Sequence, residues 1–233
     1  MSTHLYLVKA LDSIDDHLIN KAISFLPPDI RKKIKSFYHI EDSIRSLLGY
    51  MMLKKVFPQF DQYTNSLSFT KYGKPFIQNQ DLFHFNISHS KSWVVLAVSK
   101  DEIGVDIEYI KPVCFDTMKG ALTEEEYTKL QSLPNYEAVK CFYKIWTVKE
   151  SFLKMIGIGL SLSPNHLQTN VYIEEPTILL DGKQQNVMIQ TFQIESNYQI
   201  SVCGKGMNHI QKMEIFHAGK LLRDLTKEKD QTK

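Results

Sequence analysis

The residues with the clearest capacity for chemistry are Asp106 and Glu108, set in Gly104-Val105-Asp106-Ile107-Glu108. In a strand, residues two apart project from one face, so Val105 and Ile107 turn to a core while both carboxylates leave together on the other side. Like charges side by side repel unless a cation lies between them. A hard divalent ion is the natural occupant, because magnesium takes oxygen ligands from a few carboxylates and from substrate phosphates. The plainer alternative is the solvated outer face of an edge strand.

A second group sits in Cys141 to Ile156, CFYKIWTVKESFLKMI. At helical spacing Phe142, Ile145, Phe152, Leu153 and Ile156 form one apolar stripe, with Lys149 in its middle. An ammonium is costly to bury there without a partner. Glu150 and Lys154, four apart, share the flank beside Tyr143 and Trp146. An ordinary exposed ion pair would explain those two, but not Lys149. Read functionally, Glu150 is a third carboxylate beside Asp106 and Glu108, and Lys154 is free to meet a phosphate.

Two polar segments complete the set. Ser88-His89-Ser90-Lys91-Ser92, after the strand-like Phe83 to Ile87, reads as a turn offering a hydroxyl, an imidazole and backbone N–H groups to an anion. A Ser-His hydrolase is disfavoured: neighbouring residues rarely form a nucleophile–base pair, and no G-x-S-x-G elbow is present. Arg31-Lys32-Lys33-Ile34-Lys35 and Lys74 read either as solvated basic positions or as a phosphate clamp. No P-loop, GxGxxG, RNP motif or zinc finger accompanies them, so nucleic acid is not the expected partner.

The elements that must hold these groups follow from pattern. Residues 4–9 read as a strand, Pro27-Pro28 opens a helix, and Ile44, Leu47, Leu48, Met51 and Met52 mark a helix over 41–56. Tyr72-Gly73-Lys74-Pro75 is a turn. Strands are expected over 93–99 and 103–110, and helices over 116–132 and 137–156 ahead of the loop Gly157 to Leu160. Short strands follow at 169–173, 177–180, 187–194 and 198–202. The pattern predicts an α+β fold of two similar-sized lobes, 1–105 and 106–219, with 220–233 as a charged, disordered tail.

The 233 residues are 43% hydrophobic and 23% charged with net charge +2, so bulk charge selects no partner and local clusters must. Cys114, Cys141 and Cys203 lack CxxC spacing, which argues against a disulfide framework or structural zinc and suits a reducing compartment. With no signal-like N-terminus and no apolar run longer than Trp93 to Val98, the expectation is a soluble cytoplasmic protein without membrane contact.

Together these segments resemble the 4′-phosphopantetheinyl transferase superfamily, in particular its longer, surfactin-synthetase-activating (Sfp-like) type. The resemblance runs from about residue 26 to 163. It is carried by Phe37-Tyr38-His39 with Glu41-Asp42 and Arg45-Ser46-Leu47-Leu48-Gly49, then Tyr72-Gly73-Lys74-Pro75 and Phe85-Asn86-Ile87-Ser88-His89-Ser90. Gly104 to Glu108 and Trp146 through Lys149-Glu150-Ser151-Phe152-Leu153-Lys154 complete it.

The resemblance implies a pseudo-twofold monomer, each lobe a small sheet with a packed long helix, taking coenzyme A as co-substrate and an apo carrier protein (peptidyl, acyl or aryl) as acceptor. It implies Mg2+, or Mn2+ with the same oxygen preference, on Asp106, Glu108 and Glu150. Lys74, Ser88, His89, Arg45, Ser46 and Lys154 would contact the nucleotide and its phosphates, and Lys33 the 3′-phosphate. Where the pattern has another basic residue this chain has Ile30, with Arg31 or Lys32 standing in. Glu126 matches a further acidic position. Glu150, directly or through a metal-bound water, is the expected base and Lys154 the partner of the leaving phosphate, with Asp106 also catalytic. Two rivals are a non-catalytic coenzyme A or nucleotide-binding module and a metal-dependent phosphohydrolase.

Overall fold

A computed structural model describes residues 2–10, 14–60, 62, 67–78 and 83–227. The elements run β1 (His4–Lys9), α1 (Asp16–Ser24), α2 (Pro28–Lys35), α3 (Ile40–Val56), β2 (Leu67–Phe69), β3 (Pro75–Ile77), β4 (His84–Ser90), β5 (Trp93–Ser99) and β6 (Ile103–Tyr109). They continue with α4 (Phe115–Met118), α5 (Glu124–Gln131), α6 (Asn135–Ile156), β7 (Leu167–Asn170), β8 (Thr177–Leu180), β9 (Lys183–Gln184), β10 (Met188–Ile194), β11 (Tyr198–Gly204), β12 (Lys212–His217) and α7 (Ala218–Lys227). The fold class is α+β.

Two sheets organise the core. The first has the order β12-β1-β5-β4, the second β10-β11-β6. Strand alternation divides the apolar residues of the first sheet between two cores. Leu5, Leu7, Trp93, Val95 and Ala97 pack against Val105, Ile107, Tyr198, Ile200 and Val202 of the second sheet. Tyr6, Val8, Val94, Leu96 and Val98 face α1, α2, α3 and α7 instead. Burial on both faces is why the run from Trp93 to Val98 is apolar without interruption. The far side of the second sheet is covered by α6, whose Phe142, Ile145, Phe152 and Leu153 form a third core with α5, β7 and β8. Ile156, counted into that stripe from spacing, is 36% exposed.

Four expectations change. The helix over 116–132 is split, because Thr123 starts a new helix with a reciprocal capping box to Glu126. Residues 88–90 belong to β4 rather than to a turn, which is confined to Lys91 and Ser92. The strand expected over 169–173 lies at Leu167–Asn170. The tail expected over 220–233 is helical through Lys227, residues 228–233 lying outside the described ones. Charge spacing hid the reason: Leu221, Leu222 and Leu225 fall on one face of α7 and are buried in the first core. Strand β12 pairs in parallel with β1, returning the chain to the first sheet, and the cut at 105/106 falls inside β6, which pairs along its length with β11.

Candidate active site

Strand β6 is the edge of its sheet, so its outward N–H groups need partners. Side chains of β4 supply them. Asn86 Oδ1 accepts from Val105 N at 2.9 Å, Ser88 Oγ from Ile107 N at 3.4 Å and Ser90 Oγ from Tyr109 N at 3.0 Å. This side-chain ladder keeps β4 extended where the sequence alone suggested a turn. It also brings the first sheet beside the carboxylates of the second.

From the opposite direction α6 lies directly on β6. A Cβ on Gly104 would sit 2.0 Å from the Ser151 carbonyl oxygen, so only glycine admits this approach. Thr147 Oγ1 and Ser201 Oγ, 2.7 Å apart, fasten the same contact to β11. The result places Asp106 and Glu108 of β6 next to Glu150 and Lys154 of α6, with Val105 and Ile107 on the other face as their alternation requires.

The electrostatics follow from this crowding. Burial, then the Asp106 charge and then Glu108, push the Glu150 carboxyl up to about 7, with Lys154 opposing. Glu108 is raised by burial and by Asp106, against hydrogen bonds from Ser90 and Trp146 that favour its charged form. Lys154 Nζ donates to Asp106 Oδ1 at 2.5 Å and to Ser88 Oγ at 2.9 Å, and Ser88 Oγ donates in turn to Asp106 Oδ1 at 3.0 Å. Lys154, expected to be free, is thus tied to Asp106 rather than to Glu150. The reason is that the buried Asp106, 3% exposed, needs a countercharge and Lys154 supplies it.

Among the described residues no three histidine, cysteine or acidic side chains are grouped to hold a metal ion as they stand. Yet two carboxylate oxygens, Asp106 Oδ2 and Glu150 Oε1, are buried with no hydrogen-bond partner. Orphaned acceptors of this kind are costly, and an oxygen-seeking divalent cation would satisfy both. The donor set therefore fits such an ion.

Beside these groups opens a cavity of about 300 Å³, lined among others by Lys33, Ser46, Lys74, His89, Glu150 and Lys154. Lys74 donates to Met155 O at 2.8 Å and Ile103 O at 3.2 Å, tying the end of α6 to the start of β6, and burial pushes its ammonium down to about 8. His89 and Lys33 are lowered by burial as well. The turn before Lys74 needs Gly73 at φ +85, and α6 ends on Gly157 at φ +75, a left-handed conformation that favours glycine.

Three expected contacts lie elsewhere. Arg45 turns away from this cavity to Asp42 Oδ1 at 2.6 Å and to Lys91 O at 3.1 Å, because the acidic first turn of α3 offers it a nearer partner. Arg31 does not line the cavity, and its neighbour Ile30 is fully buried in the helical core, which explains an apolar residue at that position. Ser88 is engaged by Asp106 and Lys154. Sequence reasoning missed Phe37, Tyr50 and Tyr72 as walls, although Tyr72, at 42% exposed, lay in the Gly-Lys-Pro turn already singled out.

Lys149 finds its partner in Glu126, at 2.5 Å, and donates to Ala121 O at 2.9 Å. The same carboxylate accepts from Thr169 N and Thr169 Oγ1. This buried pair therefore pins α5 and β7 to α6 one residue from Glu150.

Residues 14–101 match the N-terminal part of 4′-phosphopantetheinyl transferases, and residues 102–203 match the 4′-phosphopantetheinyl transferase superfamily. The chain belongs to that superfamily and is an enzyme of this class, transferring phosphopantetheine to carrier proteins. It is 35% identical over 185 residues to 4′-phosphopantetheinyl transferase Sfp of Bacillus subtilis, covering 78% of this chain and 83% of that one. Identity to 4′-phosphopantetheinyl transferase gsp of Aneurinibacillus migulanus is 32%, over 85% and 84% of the two chains. The psf-1 transferase of Bacillus pumilus is 28% identical over 92% and 96%. No helix among the described residues is long and apolar enough to cross a membrane.

Proposed function

We propose that this enzyme moves the 4′-phosphopantetheine group of coenzyme A onto a serine hydroxyl of an apo carrier protein, releasing 3′,5′-ADP. The observation that carries the reading is the pair of buried, partnerless oxygens on Asp106 and Glu150, the latter residue lining a cavity with Lys33, Lys74 and Lys154. Asp106, Glu108 and Glu150 would hold Mg2+, or Mn2+ in its place. When bound, that ion supplies positive charge to the diphosphate as negative charge builds on its oxygens.

The chain's own residues account for the rest. The serine oxygen forms a bond to the β-phosphorus while the bond to the bridging oxygen breaks, and 3′,5′-ADP departs with that electron pair. Glu150 takes the hydroxyl proton, directly or through a metal-bound water. Lys154, released from Asp106, neutralises the leaving phosphate. Lys33, Lys74 and His89 line the cavity where the nucleotide's phosphates would lie, with Ser46 as a further donor. Ser88 acts through Lys154 and Asp106. Arg31 and Arg45 would join only by changing rotamer.

We infer two lobes meeting where β4 and α6 flank β6, with residues 212–227 assigned to the first. A peptidyl carrier domain is the acceptor we favour, on the resemblance to the Sfp-like type. The three free cysteines suit a cytoplasmic setting, and a monomer suffices because one chain supplies the whole constellation. Intact-mass spectrometry of apo carrier proteins incubated with coenzyme A, with and without EDTA, tests the assignment. The expected result is a mass gain of one phosphopantetheine, lost with EDTA and in Asp106→Ala and Glu150→Gln. Wild-type transfer by both variants would end it.

A further inference from the structure

Asn86, Ser88 and Ser90 look alike as rungs of the β4–β6 ladder, but the last does something more. Ser90 Oγ accepts from Tyr109 N at 3.0 Å and donates its one hydrogen to Glu108 Oε2 at 2.9 Å. The amide fixes where the hydroxyl oxygen sits, and its hydrogen is thereby committed to the carboxylate. Trp146 on α6 also hydrogen-bonds the Glu108 carboxylate. Ser90 is half-buried and does not line the cavity, so it is not placed to touch the nucleotide.

We propose that Ser90 is a positioning residue, holding the Glu108 carboxylate in the orientation that presents its remaining lone pairs to the cation shared with Asp106 and Glu150. The inference rests on the reading of those three carboxylates as metal holders. A ligating carboxylate that is itself hydrogen-bonded keeps its direction without the cation having to order it, and loss of such a partner typically weakens metal binding about 10- to 100-fold. A hydroxyl serving only as a strand-edge acceptor would have no such effect.

The test is Mn2+ binding to the whole chain without coenzyme A, followed by electron paramagnetic resonance of the free ion. Wild type should bind one Mn2+, Ser90→Ala should bind it about 10-fold or more weakly, and Ser90→Thr, which keeps the hydroxyl, should bind close to wild type. Combined with Glu108→Gln, the Ser90→Ala change should have little further effect, since its target is gone. If Ser90→Ala does not fold, Ser90→Cys, a weaker donor, carries the same measurement with the same expectation. Wild-type Mn2+ affinity in folded Ser90→Ala or Ser90→Cys, whatever the melting temperature, overturns the positioning role alone. Absence of Mn2+ binding by wild type overturns the three-carboxylate reading as well.

Discussion

The raised carboxyl of Glu150 makes a prediction about stability as well as chemistry. A carboxyl whose folded value lies above its unfolded one favours the folded state while protonated. That contribution is complete below about pH 4.5, the unmodified value, and is lost as pH rises through about 7. The interval corresponds to about 3 kcal/mol at 1.36 kcal/mol per pH unit. Glu150 is only half-buried, so solvent screening reduces this to about 1–2 kcal/mol. For a chain of this size that is about 2–8 °C in melting temperature.

Glutamine at this position keeps the shape and cannot ionise. The advantage of Glu150→Gln over wild type should therefore widen between pH 5.5 and pH 8 in EDTA, measured by calorimetry. Magnesium at pH 8 should then raise wild type and leave the variant nearly unchanged, because the negative charge it would offset is absent. Parallel melting curves across the pH range, or equal stabilisation of both proteins by magnesium, would refute the argument from crowded carboxylates.

Two further outcomes follow from buried groups. Lys149→Met leaves Glu126 charged in the core and should lower stability by about 3–5 kcal/mol in urea unfolding; a loss under 1 kcal/mol would mean the pair is not what joins α5 to α6. Leu222→Ala, at a fully buried position of α7, should cost about 2–5 kcal/mol by the same measurement. A surface-like effect there would show that α7 does not belong to the first core.

Much of the site was legible because strands and helices have fixed periods. Alternation alone put Asp106 and Glu108 on one face, and helical spacing put Lys149 inside a stripe and Glu150 on its flank. Pairings between distant segments were not legible. That Lys149 meets Glu126, or that Lys154 meets Asp106, depends on how α5 and β6 pack against α6, which no local pattern encodes. Ser88 to Ser90 was misread because polar residues usually mark turns, whereas here their side chains serve a neighbouring strand's backbone. The helix after Ala218 was misread for the opposite reason, since its charges outnumber the three leucines that bury it.

The parallel pairing of β12 with β1 has a consequence for biosynthesis. Strand β1 acquires its outer neighbour only after some two hundred further residues have been made. Until then one flank of β1 carries open hydrogen-bonding groups, and the apolar side of the early helices lacks the lid that α7 provides. The nascent chain would thus carry an unfinished first sheet throughout that interval, a window in which chaperone capture or misassembly with a neighbouring polysome product is most favoured.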